Sequence, residues 1–482
     1  MKKLVLIEPK APNLHIFSGM SLPRLGSILL GTLANEMGWD VQVVIEEQHN
    51  IEWDEIASST LVGISTITPT APRAFAIADR VRELNIPVIM GGPHVTFLPD
   101  EALEHSDFVI RGEGEIAFQK FLEVIETKGN FNKVPNLSWK DGDTIIHNEK
   151  AESCTDLDTL PFPDYSLVKG KTLFMAGKRI LPLQTSRGCP FDCSFCSVTG
   201  MFGRKYRYRS TENILAEMRL HNKKRNYFFI YDDNFMANPR RARELLKAMA
   251  QEKFKFKWST QVRTDVAQNP DLIELMKKAG CHTVFIGFES VNPHSLKSIQ
   301  KKQSVEDMNL AARTFRKAGI NVHGMFILGL DDDKPSTVRE TIRFAKKNLI
   351  SSAQFLILAP LPGTRQYDSL KSEGRILFTD WSLYDAHHVV YDPKNFTMVA
   401  LQKAQILTHK KFYSLRETVR RLLHWKWGDI AIAFYARNLN RNWKRNNKTY
   451  MKLIKLLKPE KDTQILADFR QLIHLNQRVN QG

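Results

Sequence analysis

Three cysteines, Cys189, Cys193 and Cys196, stand within eight residues of one another, directly after the apolar run Leu181 to Thr185. No other feature constrains the chain as strongly, because one short loop must present three thiolates to a common ligand while the chain on both sides stays in its core. Three thiolates hold three irons of a four-iron four-sulfur cluster and leave the fourth iron open to another ligand. A structural zinc wants four closed ligands; the next nearby candidate, His221, lies 25 residues on, and the paired two-plus-two spacing of zinc sites is absent. With five cysteines in 482 residues, and Cys154 and Cys281 standing alone, the chain carries no disulfide framework and reads as a metal protein of a reducing compartment.

Around this loop, strand and helix alternate twice. Residues 1–126 predict a doubly wound, Rossmann-like parallel sheet. Strand runs at Leu4 to Ile7, Val41 to Ile45, Leu61 to Ser65, Pro87 to Met90 and Phe108 to Ile110 are separated by helical patterns such as Pro23 to Met37 and Pro72 to Leu84. Ligands of such sheets bind beyond the carboxyl ends of the strands. Those ends carry Ser65-Thr66, Gly91-Gly92-Pro93-His94 and Arg111-Gly112-Glu113-Gly114-Glu115, residues that either let a large ligand approach the backbone or make tight turns. Residues 127–178 read as a connector, with a hairpin of Asn136 to Lys140 and Thr144 to His147 followed by the proline-marked Leu160 to Asp164. From 179 to 373, six strand runs each precede a helical pattern: Leu181 to Thr185, Tyr227 to Tyr231, Lys257 to Val262, Thr283 to Phe288, Val322 to Leu328 and Gln354 to Leu358. They predict a partial (βα)6 TIM-type barrel with its site at the carboxyl ends of the strands. Residues 374–482 predict a mainly helical extension.

With its cysteines on the loop after the first strand of a six-unit barrel, this region resembles the radical S-adenosylmethionine enzymes. The resemblance implies Cys189, Cys193 and Cys196 as ligands of a four-iron four-sulfur (4Fe-4S) cluster whose open iron is chelated by S-adenosylmethionine. One-electron reduction then yields methionine and a 5'-deoxyadenosyl radical. Tyr231 to Phe235 resembles the segment that receives the methionine amino group, with Asp232 or Asp233 as acceptor; for either carboxylate a helix cap is the plainer role. Arg263, ending strand three, is placed to pair with the methionine carboxylate or to make an ordinary salt bridge. Gly287-Phe288-Glu289-Ser290 resembles the ribose-facing segment, with Glu289 the acceptor and Ser290 beside it, and Leu358 to Thr364 resembles the loop near the adenine.

A doubly wound region ahead of such a barrel resembles the cobalamin-binding domain of the cobalamin-dependent radical enzymes. Ser65-x-Ile67 followed by Gly91-Gly92 matches the part of the corrinoid pattern that makes room for the nucleotide tail, so Ser65, Gly91 and Gly92 are the implied cobalamin contacts. Corrinoid proteins that supply a cobalt ligand carry Asp-x-His-x-x-Gly after strand one. Here that stretch reads Ser18-Gly19-Met20-Ser21-Leu22-Pro23, and His15 has the wrong spacing. The resemblance thus implies a lower cobalt face that is empty or water-bound, which eases transfer of a methyl group as a radical. The implied activity is methylation of an unactivated carbon of a small or lipid-like substrate, with a reducing electron donor as partner. Rearrangement, ring contraction and oxidative cyclisation are the alternatives inside the family. A radical methylthiotransferase carries three further cysteines ahead of the barrel, and residues 1–125 have none.

Lys and Arg number 69 against 52 Asp and Glu, and the excess is concentrated at the end: the last 82 residues hold 18 basic and 5 acidic side chains. This region includes Trp425, Trp427 and Trp443, and Leu415, Val419, Leu422 and Leu423 share one helix face. It reads as a helical cap, as a surface for an anionic bilayer, or, least of the three, as an RNA-binding tail. A zinc-stabilised nucleic-acid binding protein is the reading of another class. Between strand six and this tail, Asp380 to Val390 is rich in aromatic and imidazole groups; Tyr384, His387 and His388 either roof the site or pack. The apolar run Leu4 to Ile7 is too short for a signal-peptide core, and no stretch approaches a membrane span, so a cytoplasmic protein with peripheral membrane contact left open is expected.

Overall fold

The computed structural model describes residues 2–13, 22–150, 153–154, 156–170, 174–175, 177–423 and 427–457, without the side chains of 174–175, 421–423 and 427–430. His15, Ser18 to Ser21 and Trp425 lie outside the described residues. The first sheet contains β1 (Lys3–Glu8), β2 (Asp40–Ile45), β3 (Leu61–Ser65), β4 (Val88–Gly91), β5 (Phe108–Ile110), β6 (Leu137–Asp141) and β7 (Thr144–His147), in the order β2-β1-β3-β4-β5-β6-β7. The first five are parallel, and the hairpin β6-β7 continues the sheet antiparallel to β5. Helices cover both faces, which is why β1 is apolar without alternation: Val5 and Ile7 enter one core, Leu4 and Leu6 the other.

The second sheet contains β8 (Phe174–Met175), β9 (Lys178–Leu183), β12 (Asn226–Ile230), β13 (Lys257–Val262), β14 (Cys281–Glu289), β15 (Asn321–Leu328) and β16 (Ser352–Ile357); a small ribbon pairs β10 (Ser186–Arg187) with β11 (Arg207–Tyr208). Its order is β16-β15-β14-β13-β12-β9-β8, so six parallel strands follow one another in chain order as an open half-barrel. Phe228, Trp258, Ile286, Phe326 and Phe355 point to the outer helices and form the core. The alternate residues, among them Phe229, Phe285, His323, Met325 and Leu356, line the opposite, concave face and are only half-buried.

An open half-barrel leaves β16 as an unpaired edge. Helix Met398–Phe412 covers it through side chains: Gln405 Nε2 donates to the Phe355 carbonyl at 3.1 Å, and the hydroxyl of Tyr413, next after the helix, both donates to the Ala353 carbonyl and accepts from its amide, each at 2.8 Å. Helices Leu415–Leu423, Trp427–Asn446 and Lys448–Leu456 follow. Among the described residues, no helix is long and apolar enough to cross a membrane.

Candidate active site

The cysteine loop leaves β9 at a turn made by Asp232. This carboxylate, fully buried at the end of β12, accepts from the Thr185 amide (2.7 Å), the Ser186 amide (3.1 Å), Ser186 Oγ (2.6 Å) and Thr185 Oγ1. The pull of these bonds ends β9 at Leu183, two residues short of the apolar run. Farther along, the Ser194 amide donates to the Ile299 carbonyl (3.1 Å), and the Ser194 carbonyl accepts from the Gln366 amide (3.0 Å). Arg365 holds the Asp192 carbonyl at 2.7 Å. The loop is therefore pinned from segments after β14 and β16; burial, with the charges of Asp233 and the neighbouring cysteines, pushes Cys196 up to about 12 and raises Cys189, and among the described residues no three His, Cys, Asp or Glu side chains are gathered closely enough to hold a single metal ion. Thiols raised in this way stay protonated, Arg263 offsetting only part of the rise at Cys189, and a cluster iron would supply the charge that replaces the proton. Three thiols on one loop are the donor type of an iron–sulfur cluster, which spreads its ligands over separate irons and does not gather them on one ion.

Asp233, unlike Asp232, faces the thiols; burial and the Asp232 charge push its carboxyl up to about 7. Arg263 lies 3.6 Å over the ring of Phe191, between the first two cysteines, and donates through Nη2 to the carbonyls of Lys301 (2.6 Å) and Lys302 (3.1 Å). Its buried Nε has no hydrogen-bond partner among the described residues, Asp265 being 3.7 Å away. Glu289 adopts φ +59°, at a bulge in β14, and its Oε1 takes Lys301 Nζ at 2.7 Å. The carboxylate folds back over Gly287, where any Cβ would collide with it. Ser290 Oγ donates to Asp333 at 3.2 Å and accepts from the Asn292 amide. Lys301 and Asp333 carry no local motif that would single them out before the chain is folded.

On the first sheet, Arg24 donates to the Ser65 carbonyl, fixing the end of β3. Gly91 ends β4 with a Cβ position only in ordinary contact with the Ile110 carbonyl oxygen at 3.9 Å, and Gly92 has φ +100° with a Cβ position 2.5 Å from the Thr66 carbonyl oxygen. Thr66 Oγ1 is buried and unpartnered among the described residues. Small residues and an unpaired hydroxyl at the ends of adjacent strands fit a large ligand approaching the backbone there. The two sheets meet at these ends. Phe97 packs where Gly200 and Gly363 have no side chain, and Arg187, Glu113, Glu115 and Arg207 form a buried charged set across the boundary. Trp381 donates to Glu101 at 2.8 Å and packs edge-on against His94.

Of the two roles open to the post-barrel segment, packing holds. Tyr384, His387 and His388 are buried; Tyr384 donates to the Phe378 carbonyl, and His388 bridges Asp385 (2.9 Å) and Asn447 (2.7 Å). Trp443 is buried against His388, so it belongs to the cap.

The B12 binding domain model matches residues 18–122 and the Radical SAM superfamily model residues 183–345. Bacteriochlorophyllide d C-12(1)-methyltransferase of Chlorobaculum tepidum is 30% identical over 436 residues, 88% of this chain and 91% of that one. The chain belongs to the cobalamin-dependent radical S-adenosylmethionine enzymes. Its cofactors are those of the family: a four-iron four-sulfur cluster, S-adenosylmethionine and cobalamin. The enzyme is also similar to the hopanoid C-2 methylase of Rhodopseudomonas palustris, at 27% identity over 71% of this chain and 63% of that one. Its fold matches the cobalamin-dependent S-adenosylmethionine radical enzyme OxsB, at TM-score 0.70 and 16% identity, over 98% of this chain and 75% of that one.

Proposed function

We propose that the enzyme methylates an unactivated carbon of a largely apolar, ring-bearing substrate. The observation that carries this reading is its near full-length similarity to a methyltransferase acting on a bacteriochlorophyllide. The concave face supports it, because Phe229, Phe285, Met325 and Leu356 offer an apolar wall interrupted by His323, whose imidazole donates to or accepts from Ser352 Oγ at 2.7 Å and is kept neutral by burial.

The bound cofactors supply the electron that cleaves S-adenosylmethionine and the methyl group to be transferred. The chain's residues hold and orient them. Cys189, Cys193 and Cys196 hold the cluster. Asp233, with Asp232 fixing the turn beside it, receives the methionine amino group; Arg263, with its unpartnered Nε, receives the carboxylate, and Glu289, fixed by Lys301 and flanked by Ser290, receives the ribose hydroxyls. Ser65, Gly91 and Gly92, with Thr66, floor the cobalamin site.

Anaerobically reconstituted protein is expected to bind about four irons and one cobalt per chain, and Cys193→Ser to lose the cluster. Incubated with reductant and a bacteriochlorophyllide, the enzyme should form deoxyadenosine and S-adenosylhomocysteine together. Deoxyadenosine without any homocysteine product would replace methylation by rearrangement or cyclisation.

Peripheral membrane contact is part of the proposal. It is supported by Leu415 (69% exposed), Val419 (55%) and Phe434 (58%), which stand in the basic C-terminal region. Flotation with phosphatidylglycerol vesicles should recover the protein, and Phe434→Ser should weaken recovery; equal recovery on neutral phosphatidylcholine vesicles would remove the electrostatic part of this reading.

A further inference from the structure

The base of the cysteine loop contains an arrangement that is unfavourable on its own. Ser186–Arg187 and Arg207–Tyr208 form a two-residue antiparallel ribbon, and its register places Arg187 directly opposite Arg207. Like charges facing each other across a ladder destabilise the pair, and both arginines here are buried, at 5% exposure each. The compensating charge comes from the other sheet. Glu113 Oε2 accepts from Arg187 Nη1 at 2.8 Å and from Arg207 Nη1 at 3.0 Å, and its Oε1 takes Arg207 Nη2. Glu115 Oε1 accepts from Arg187 Nη2 at 2.6 Å. Two guanidinium groups and two carboxylates thus close into a set of zero net charge.

The arginines hold the two limbs of the loop. Arg187 precedes Gly188-Cys189 and donates through Nε to Gln184 at 2.7 Å, while Arg207 reaches the carbonyl of Phe202, at the end of the helix that follows Cys196. The limbs are pressed together so closely that a Cβ on Gly188 would stand 2.5 Å from the Lys205 carbonyl oxygen. We propose that Glu113 and Glu115 are positioning residues for the cluster: by neutralising Arg187 and Arg207 from the corrinoid side, they close the loop that presents Cys189, Cys193 and Cys196. This rests on the reading of those cysteines as cluster ligands, and it makes the arrangement of the cluster depend on docking of the first sheet.

The test uses full-length, reconstituted protein and needs no methylation substrate. In Glu113→Gln, one carboxylate remains for two guanidinium groups. The expected result is a changed electron paramagnetic resonance spectrum of the reduced cluster and about tenfold weaker binding of S-adenosylmethionine, read from its effect on that spectrum, with iron still bound. Adding Arg207→Gln restores charge balance and should recover most of the affinity, which a general loss of packing would not do. Glu101→Ala, which removes the acceptor of Trp381 Nε1 and so breaks a different contact between the first sheet and the post-barrel segment, serves as the control. An unaltered spectrum in Glu113→Gln, or equal changes in Glu113→Gln and Glu101→Ala, would overturn the proposal. If Glu113→Gln does not fold, Glu115→Gln with the same two readouts decides. Failure to bind iron in the parent protein would instead sink the reading of the cysteines, so the two failures are separable.

Discussion

Asp333 lies under the end of β14 as a buried carboxyl that accepts from Ser295 Oγ (2.7 Å), Ser290 Oγ (3.2 Å) and the Leu330 amide (3.2 Å). These bonds lower its pKa, yet burial outweighs them and holds it at about 6 against an ordinary value of 3.8. A raised carboxyl binds its proton more tightly in the folded state, so its stabilising contribution is complete below pH 4 and is lost as pH rises through 6. A shift of this size is about 3 kcal/mol. Urea midpoints measured from pH 4 to 7 should therefore fall more steeply in the parent than in Asp333→Asn, whatever the absolute stability of the variant; parallel curves would remove Asp333 as the cause. Gly92 offers a conformational test of the same scale. With φ +100° and no room for a Cβ beside Thr66, Gly92→Ala should lose at least about 2 kcal/mol and should retain less cobalamin after gel filtration.

Among the elements, β14 and the helix over β16 carry distinct consequences. The bulge that turns Glu289 to φ +59° brings its carboxylate to Lys301, and both groups are nearly buried. Lys301→Met leaves that carboxylate unpaired and should cost about 3 kcal/mol in denaturant titrations, with weaker S-adenosylmethionine binding; a variant as stable as the parent would mean the pair is not held as described. At the barrel edge, Tyr413→Phe removes two hydrogen bonds to Ala353 and should cost about 1–2 kcal/mol, with faster amide exchange at Ala353. The elements themselves were legible: β3 and β5 coincide with their apolar runs because burial on both faces demands an uninterrupted stretch of β-formers, and β7 and β13 coincide with the strand limits set by the hairpin turn and by the strand-helix alternation. Cys189, Cys193 and Cys196 could be put forward together from the sequence alone because metal spacing is local. Glu113 and Glu115 stood out as polar strand ends, but their partners lie 72 to 94 residues away, and a pairing across that distance leaves no periodic trace. Similarly, the division of labour between Asp232 and Asp233 depends on which one the Thr185-Ser186 turn occupies, and two adjacent aspartates look alike until that turn is folded.

On the scale of the whole molecule, the two sheets join through their carboxyl ends, and the cap closes the far edge of the half-barrel. The buried Asp385–His388–Asn447 set ties the post-barrel segment to the last described helices; its attraction raises the pKa of His388 above the ordinary value and lowers that of Asp385. The charged set at the sheet boundary has a further consequence in time. Glu113 is synthesised 74 residues before Arg187, and the first sheet ends at His147, so its strands can pair while the cysteine loop is still unmade. Translation then delivers each arginine to an acidic surface that already exists. Ribosome-stalled chains ending just after β11 should accordingly contain a protease-resistant fragment spanning β1 to β7, and uniform digestion of that region would contradict it. The order of the two halves along the gene is thus itself an assembly instruction, with the corrinoid half serving as the mould in which the cysteine turn sets.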